Sequence, residues 1–351
     1  MSNNLQRYCN RRSNVELLRI VSMFLILFWH GIHHGFLQNE TLSSFSINIL
    51  NLIHWCCFWH VNAFLLISGY FGIKFKWKSC INFFMYVLFY YILLNILIPL
   101  CQRESVNLDV LLYSPYTFFH SFLGWWFVKP YLFLMLLSPI LELIRKVQDK
   151  QFLLIVVLLT LLNLFIGFVC KGGYNDNGFC VEHFCYMYVI GMLIKRYEDN
   201  LSKYSTKLFI SLFTISTIFL LVFDKYLFTD DFWYGYNNPL VIINACVVFL
   251  LFLKIQIESR TVNYVAISAF AVYLLTDHNT LTRPYIVRIT NVINDFCSKN
   301  IWYDLSIWII CCVIIFVFCI YLDMLLRILM KYFALLIRKV VSHVTHMLNQ
   351  K

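Results

Sequence analysis

Ten mostly apolar stretches run through nearly the whole chain, near positions 15 to 37, 47 to 72, 80 to 101, 121 to 142, 152 to 170, 180 to 196, 206 to 226, 238 to 255, 261 to 279 and 304 to 326. About 20 such residues in helical form cross the hydrocarbon core of a bilayer. A helix satisfies its own backbone hydrogen bonds there, where an open strand does not. The predicted fold is therefore all-α: a polytopic membrane bundle of about ten transmembrane helices. Composition agrees, with 61% of 351 residues hydrophobic, 13% charged and a mean hydropathy of +0.72. Such a chain has too little polar surface for a soluble domain. Six prolines, eleven glycines and no fixed-period repeat leave no linker, so residues 1–351 read as one domain.

The first run, Val15 to Phe36, is longer than a signal-peptide core and ends in HGIHHG instead of a small-residue cleavage site. It is expected to remain as the first helix, behind a cytoplasmic tail at 1–14. The thirteen cysteines contain no CxxC pair and mostly lie in apolar runs, which argues against a disulfide framework.

Lysine and arginine mark the inner loops of membrane proteins. Here they precede the first run (Arg7, Arg11, Arg12) and follow the second (Lys74, Lys76, Lys78), fourth (Arg145, Lys146, Lys150), sixth (Lys195, Arg196, Lys203, Lys207), eighth (Lys254, Arg260) and tenth (Arg327, Lys331, Arg338, Lys339). The alternate loops are poorer in them, except 280 to 303, which carries Arg283, Arg288 and Lys299. Both termini are thus expected in the cytoplasm. The net charge of +10 is spread over short loops, a topology signal and not a nucleic-acid surface. Residues 327–351 mix basic and apolar side chains, as suits either an interfacial helix or a frayed tail.

Titratable groups inside spans are costly and mark functional sites. Arg19 and His30 are eleven residues apart, about 20° past three full turns and about 16 Å along a helix. They share one face at different depths, with His33 and His34 extending the stripe and Glu16 placed to pair with Arg19. Histidine suits proton transfer near neutral pH. Arginine at the inner edge suits a phosphate. Lys74, Lys76 and Lys78 would add to that basic mouth or act as ordinary inner-loop anchors. Toward the outer side lie Trp125, Trp126 and Lys129, and the pair Asp277 and His278 at a depth similar to His30. The loops KGGYNDNG and TDDFWYGYNNP have the aromatic and amide side chains that stack on and hydrogen-bond a sugar, and also those of ordinary turns. His30, His33 and His34 lack a carboxylate or thiol at ligand spacing, so no metal is expected, a helical HxxHH being the weak alternative.

NVELLRIVSMFLILFWHGIHHG, HVNAFLLISGYFGIKFKWKS with its SGY segment (Ser68, Gly69, Tyr70), WWFVKPYLFLMLLSP, CYMYVIGMLIKRY and ISAFAVYLLTDHNTLTR together resemble the first, second, fourth, sixth and ninth helices of the integral-membrane acyltransferases of family 3. That group O-acetylates bacterial surface polysaccharides. Its arginine and histidine eleven positions apart correspond to Arg19 and His30. The chain departs from the resemblance at Thr276, where many relatives carry a histidine. The resemblance implies an acyl-CoA donor, acetyl-CoA foremost, entering from the cytoplasm, and a cell-envelope glycan or lipid-linked precursor as acceptor on the outer side of the inner membrane.

It also implies His30 as the catalytic group, either general base or transient acyl carrier. Arg19, with Lys74, Lys76 and Lys78, would hold the donor; Trp126, Lys129, Asp277 and His278 would line the acceptor side. The alternative is a membrane transporter or exporter of a glycan or small anion, with the same stripe lining a path. Inverted repeats and paired broken helices, the usual marks of such transporters, are not visible in the sequence.

Overall fold

The computed structural model describes residues 11–103, 124–170, 176–226, 234–297 and 300–348, with side chains to residue 329. Helix α1, Ser13–His34, starts with Glu16 in its first turn, where the helix dipole favours an acid, and closes at Gly35, whose N–H donates to the Gly31 carbonyl at 3.1 Å. The second run forms α2 (Ser44–Cys57) and α3 (His60–Phe71), with a break at Phe58 and Trp59. Next come α4 (Trp77–Gln102), α5 (Val128–Ile144), α6 (Asp149–Leu161, opening into a π-helical segment Leu162–Val169) and α7 (Val181–Arg196). After a one-turn helix at Glu198–Leu201 follow α8 (Thr206–Tyr226), α9 (Pro239–Leu253), α10 (Arg260–Val265), α11 (Ala269–Thr276), α12 (Arg283–Phe296) and α13 (Ile301–Leu348). The described residues are helical with no strand, as expected.

Among the described residues six segments are long and apolar enough to cross a bilayer: Ser13–Gln38, Ser44–Phe71, Trp77–Gln102, Asp149–Val169, Thr206–Tyr226 and Ile301–Leu329. The other four expected spans differ. α5, α7 and α9 have 17, 16 and 15 residues, and the ninth run is broken into α10 and α11. The reason is burial: most of α7, α9 and α11 is packed against protein, so their length is not set by lipid thickness. By contrast 67% of the span window of α1 is buried, against 22% for α4 and α8. α1 is thus an axis of the bundle, and α4 and α8 present apolar side chains outward.

Close helix approaches need small residues. α3 crosses α7 where Gly69 meets Gly191, and a Cβ on Gly191 would lie 2.5 Å from the Leu66 carbonyl oxygen. α13 lies on α1 at Gly31, against which the Trp308 ring packs while its Nε1 donates to the Phe28 carbonyl at 3.0 Å. Lower down α13, buried Asp323 accepts from the hydroxyls of Tyr86 and Tyr90 on α4, both at 2.7 Å, and pairs with Arg327 at 2.8 Å. Arg327 also donates to Ser268 at the break between α10 and α11. α13 continues unbroken to Leu348, so residues 327–348 prolong this helix; 349–351 lie outside the described residues.

Candidate active site

His30, in the C-terminal half of α1, is buried, and its Nε2 faces Asp277 Oδ2 at 3.4 Å. Asp277 closes α11 and is fully buried; its Oδ1 accepts from Arg283 Nε at 2.8 Å. A carboxylate inside a membrane bundle requires such a partner, and Arg283 supplies it from the first position of α12. The order is imidazole, carboxylate, guanidinium. His30 Nδ1 and Asp277 Oδ2 are both buried with no hydrogen bond.

The turn that delivers Asp277 is held by its own polar groups. The His278 N–H donates to Thr282 Oγ1 at 2.9 Å, and the N–H groups of Thr282 and Arg283 donate to the His278 carbonyl at 3.1 and 2.9 Å. His278 Nδ1 accepts from the Leu281 N–H at 3.2 Å, and its ring meets buried Trp125 edge-on at 4.6 Å. His278 therefore shapes the turn, and it is not among the residues lining the cavity at His30.

That cavity is narrow and apolar. Met23, Ile26 and His30 of α1 form one wall, with Phe64, Trp126, Tyr236 and Tyr273 among the residues around it. Arg19, four positions before Met23, continues the row 19, 23, 26, 30 toward the helix N-terminus. Its Nη1 pairs with Glu16 Oε2 at 2.5 Å, and Glu16 also pairs with Arg11 at 3.1 Å. Trp126 stacks on Tyr236 with centroids 5.5 Å apart. Tyr236 comes from the expected sugar-type loop, whose residues 229–233 lie outside the described residues, as do 171–175 of the other loop.

On the other side of His30, five imidazoles surround the Trp29 indole, with His33 stacked on it at 4.6 Å and His30, His54, His60 and His34 at 5.3, 5.3, 5.5 and 6.0 Å. His60 is fully buried with neither ring nitrogen hydrogen-bonded. Among the described residues no group of three His, Cys, Asp or Glu side chains is arranged to hold a metal. The twelve described cysteines are free thiols.

Several expected residues lie apart from this centre. Lys129 is exposed at the start of α5 and does not line the cavity. Lys74 lines a separate open pocket with Tyr70, Arg145 and Lys195; Lys76 and Lys78 are exposed and outside both pockets. Beside that pocket Glu198 accepts from Tyr70 at 2.6 Å, Arg12 at 2.7 Å and Lys195 at 2.8 Å. Burial pushes its carboxyl up, but these donors outweigh burial and hold it down at about 2.

Sequence reasoning missed Arg283, although its presence in a loop that broke the basic-residue asymmetry was a signal. It also missed His54, His60, Tyr236 and Tyr273, which reach the site through packing alone.

A buried histidine backed by a carboxylate, beside an apolar passage, is an arrangement for proton transfer or covalent group transfer. Comparison with known proteins bears on which. No curated protein and no solved structure matches the chain. The model of the family described as an acyltransferase domain matches residues 12–324. It supports the acyltransferase over the transporter or exporter. With a match over nearly its whole length, this multi-pass membrane chain belongs to the acyltransferase family 3.

Proposed function

We propose that the protein transfers an acyl group, acetyl foremost, from acyl-CoA to a hydroxyl of a cell-envelope glycan or its lipid-linked precursor, at the inner (plasma) membrane with both termini in the cytoplasm. The observation that carries this reading is the row Arg19, Met23, Ile26, His30, of which the last three line one apolar passage. Arg19 offers a diphosphate its guanidinium at one end. The extended, weakly polar pantetheine arm would follow that row, widening the narrow cavity it meets, to bring the thioester to His30 about 16 Å further on. Trp126 and Tyr236 offer aromatic faces to the acceptor sugar. Lys74, Lys76 and Lys78 are left as contributors to the basic field around the donor entrance, and Lys129 and His278 to acceptor-side structure.

Asp277 facing Nε2 favours the tautomer with its proton there and stabilises the imidazolium, which leaves Nδ1 as the lone pair. As general base, His30 takes the acceptor hydroxyl proton as that oxygen attacks the thioester carbonyl; the C–S bond breaks and the thiolate takes the proton. As carrier, the imidazole nitrogen attacks the carbonyl and expels the thiolate, which takes a proton from solvent; the acceptor oxygen then takes the acyl group from nitrogen and gives its own proton up to solvent, freeing the imidazole. Rapid mixing with acetyl-CoA and no acceptor separates these. A stoichiometric burst of free thiol marks the carrier, and thiol release only with acceptor marks the base. Acyl transfer to glycan that proceeds without any acyl-CoA would overturn the donor assignment.

A further inference from the structure

Arg283, Arg288 and Lys299 lie between the ninth and tenth apolar runs, against the basic-residue asymmetry of the other loops. Arg283 is explained by Asp277. Arg288, exposed on α12, has no acidic partner among the described residues. It lines an open groove of about 460 Å³ between the C-terminal end of α4 and α12. Ile98 and Leu281 give this groove apolar walls; Thr280, Gln102 and Tyr285 give it polar ones, and Gln102 Nε2 donates to the Tyr285 hydroxyl at 2.6 Å. Thr280 and Leu281 belong to the same turn that carries Asp277 to His30, and Thr280 Oγ1 lies 3.3 Å from His278 Nδ1.

The groove thus has a guanidinium with no acidic partner among the described residues, hydroxyl and amide groups beside it, and an apolar edge. That edge continues along α4 at Ile92, which shares the face of Asn95 and Pro99 and is 38% exposed, on a helix long and apolar enough to cross a bilayer. A guanidinium matches a phosphate through paired hydrogen bonds, and Ile98 and Ile92 of α4 offer apolar contact to an alkyl chain attached to that phosphate.

We infer that this groove binds the phosphate-bearing head of a lipid-linked glycan acceptor, with Arg288 on the phosphate and Ile98, Leu281 and the outer face of α4 against the lipid chain. The inference rests on the acyltransferase reading for the word acceptor, and it extends that reading by placing the acceptor's carrier beside the catalytic turn.

The test is saturation binding of labelled farnesyl diphosphate to the full chain in nanodiscs of zwitterionic lipid, with no acyl-CoA present. Saturable binding is expected, weakened about tenfold or more by Arg288→Gln, as for loss of one charge-assisted contact, and largely kept by Arg288→Lys. Farnesol should not displace the probe. Equal binding by Arg288→Gln overturns the inference. So does displacement by inorganic diphosphate as effective as by unlabelled probe, which marks a free-phosphate site, or loss of binding in phosphatidylglycerol nanodiscs, which marks a bulk headgroup site. Because the readout needs no acyl donor, failure here is distinguishable from failure of acyl transfer.

Discussion

His30 Nε2 and Asp277 Oδ2 face each other at 3.4 Å across two packed helices, one carrying an imidazole in its C-terminal half and the other ending at the carboxylate. If Asp277 orients and charges the imidazole, Asp277→Asn keeps the shape and removes that effect. The turnover rate should fall by about 10²–10⁴-fold, with the protein still folded in detergent or nanodiscs by circular dichroism. Turnover within twofold of the unchanged protein would separate Asp277 from the chemistry.

Arg283 supports the site through Asp277. Arg283→Gln leaves a buried carboxylate without its cation, a change that costs about 3–5 kcal/mol. The double variant Arg283→Gln with Asp277→Asn should recover most of that loss in thermal unfolding while remaining impaired in transfer. A double variant no more stable than Arg283→Gln alone would contradict the pairing.

Arg19 is assigned to the donor and not to the reacting atoms. Arg19→Gln should raise KM for acyl-CoA about tenfold or more while changing turnover at saturation far less, the signature of lost donor binding. A fall in turnover with KM unchanged would move Arg19 to a different role. The row of Arg19 and His30 and the Glu16 partner were legible because they lie on one helix, where spacing fixes direction. The depth of Asp277 could be counted from the end of its apolar run. Arg283, His60 and Tyr236 were not legible, since their positions depend on how distant segments pack. Span length was not legible for the same reason: a run of apolar residues does not say whether lipid or protein covers it, and α7, α9 and α11 are covered mainly by protein. Lys129 was singled out by depth and Lys74 by its place in a basic inner loop, and neither fixes the direction of a side chain.

Glu198 should give the protein an acid-sensitive joint. Its carboxyl is held at about 2 by Lys195, Tyr70 and Arg12 against the opposing effect of burial, below the 4.3 usual for glutamate. A lowered folded value adds stability that is complete above the unfolded value and vanishes as pH falls through the folded one. Glu198→Gln should therefore destabilise by about 1–2 kcal/mol at pH 7, allowing for partial exposure. The gap to the unchanged protein should close between about pH 4.5 and 2. Thermal unfolding at a series of pH values checks this, and a gap that stays constant across that window would contradict it.

The central claim is that His30 acts on an acyl group delivered by CoA. Its most direct test follows labelled acetyl from acetyl-CoA into envelope glycan in membranes carrying either the unchanged protein or His30→Ala at equal levels. The account predicts label in glycan with the unchanged protein and none with the variant, while the variant remains folded and in the membrane. Full transfer by His30→Ala would contradict the assignment of His30, and no transfer by the unchanged protein from acetyl-CoA or a longer acyl-CoA, with acceptor present, would contradict the proposed donor.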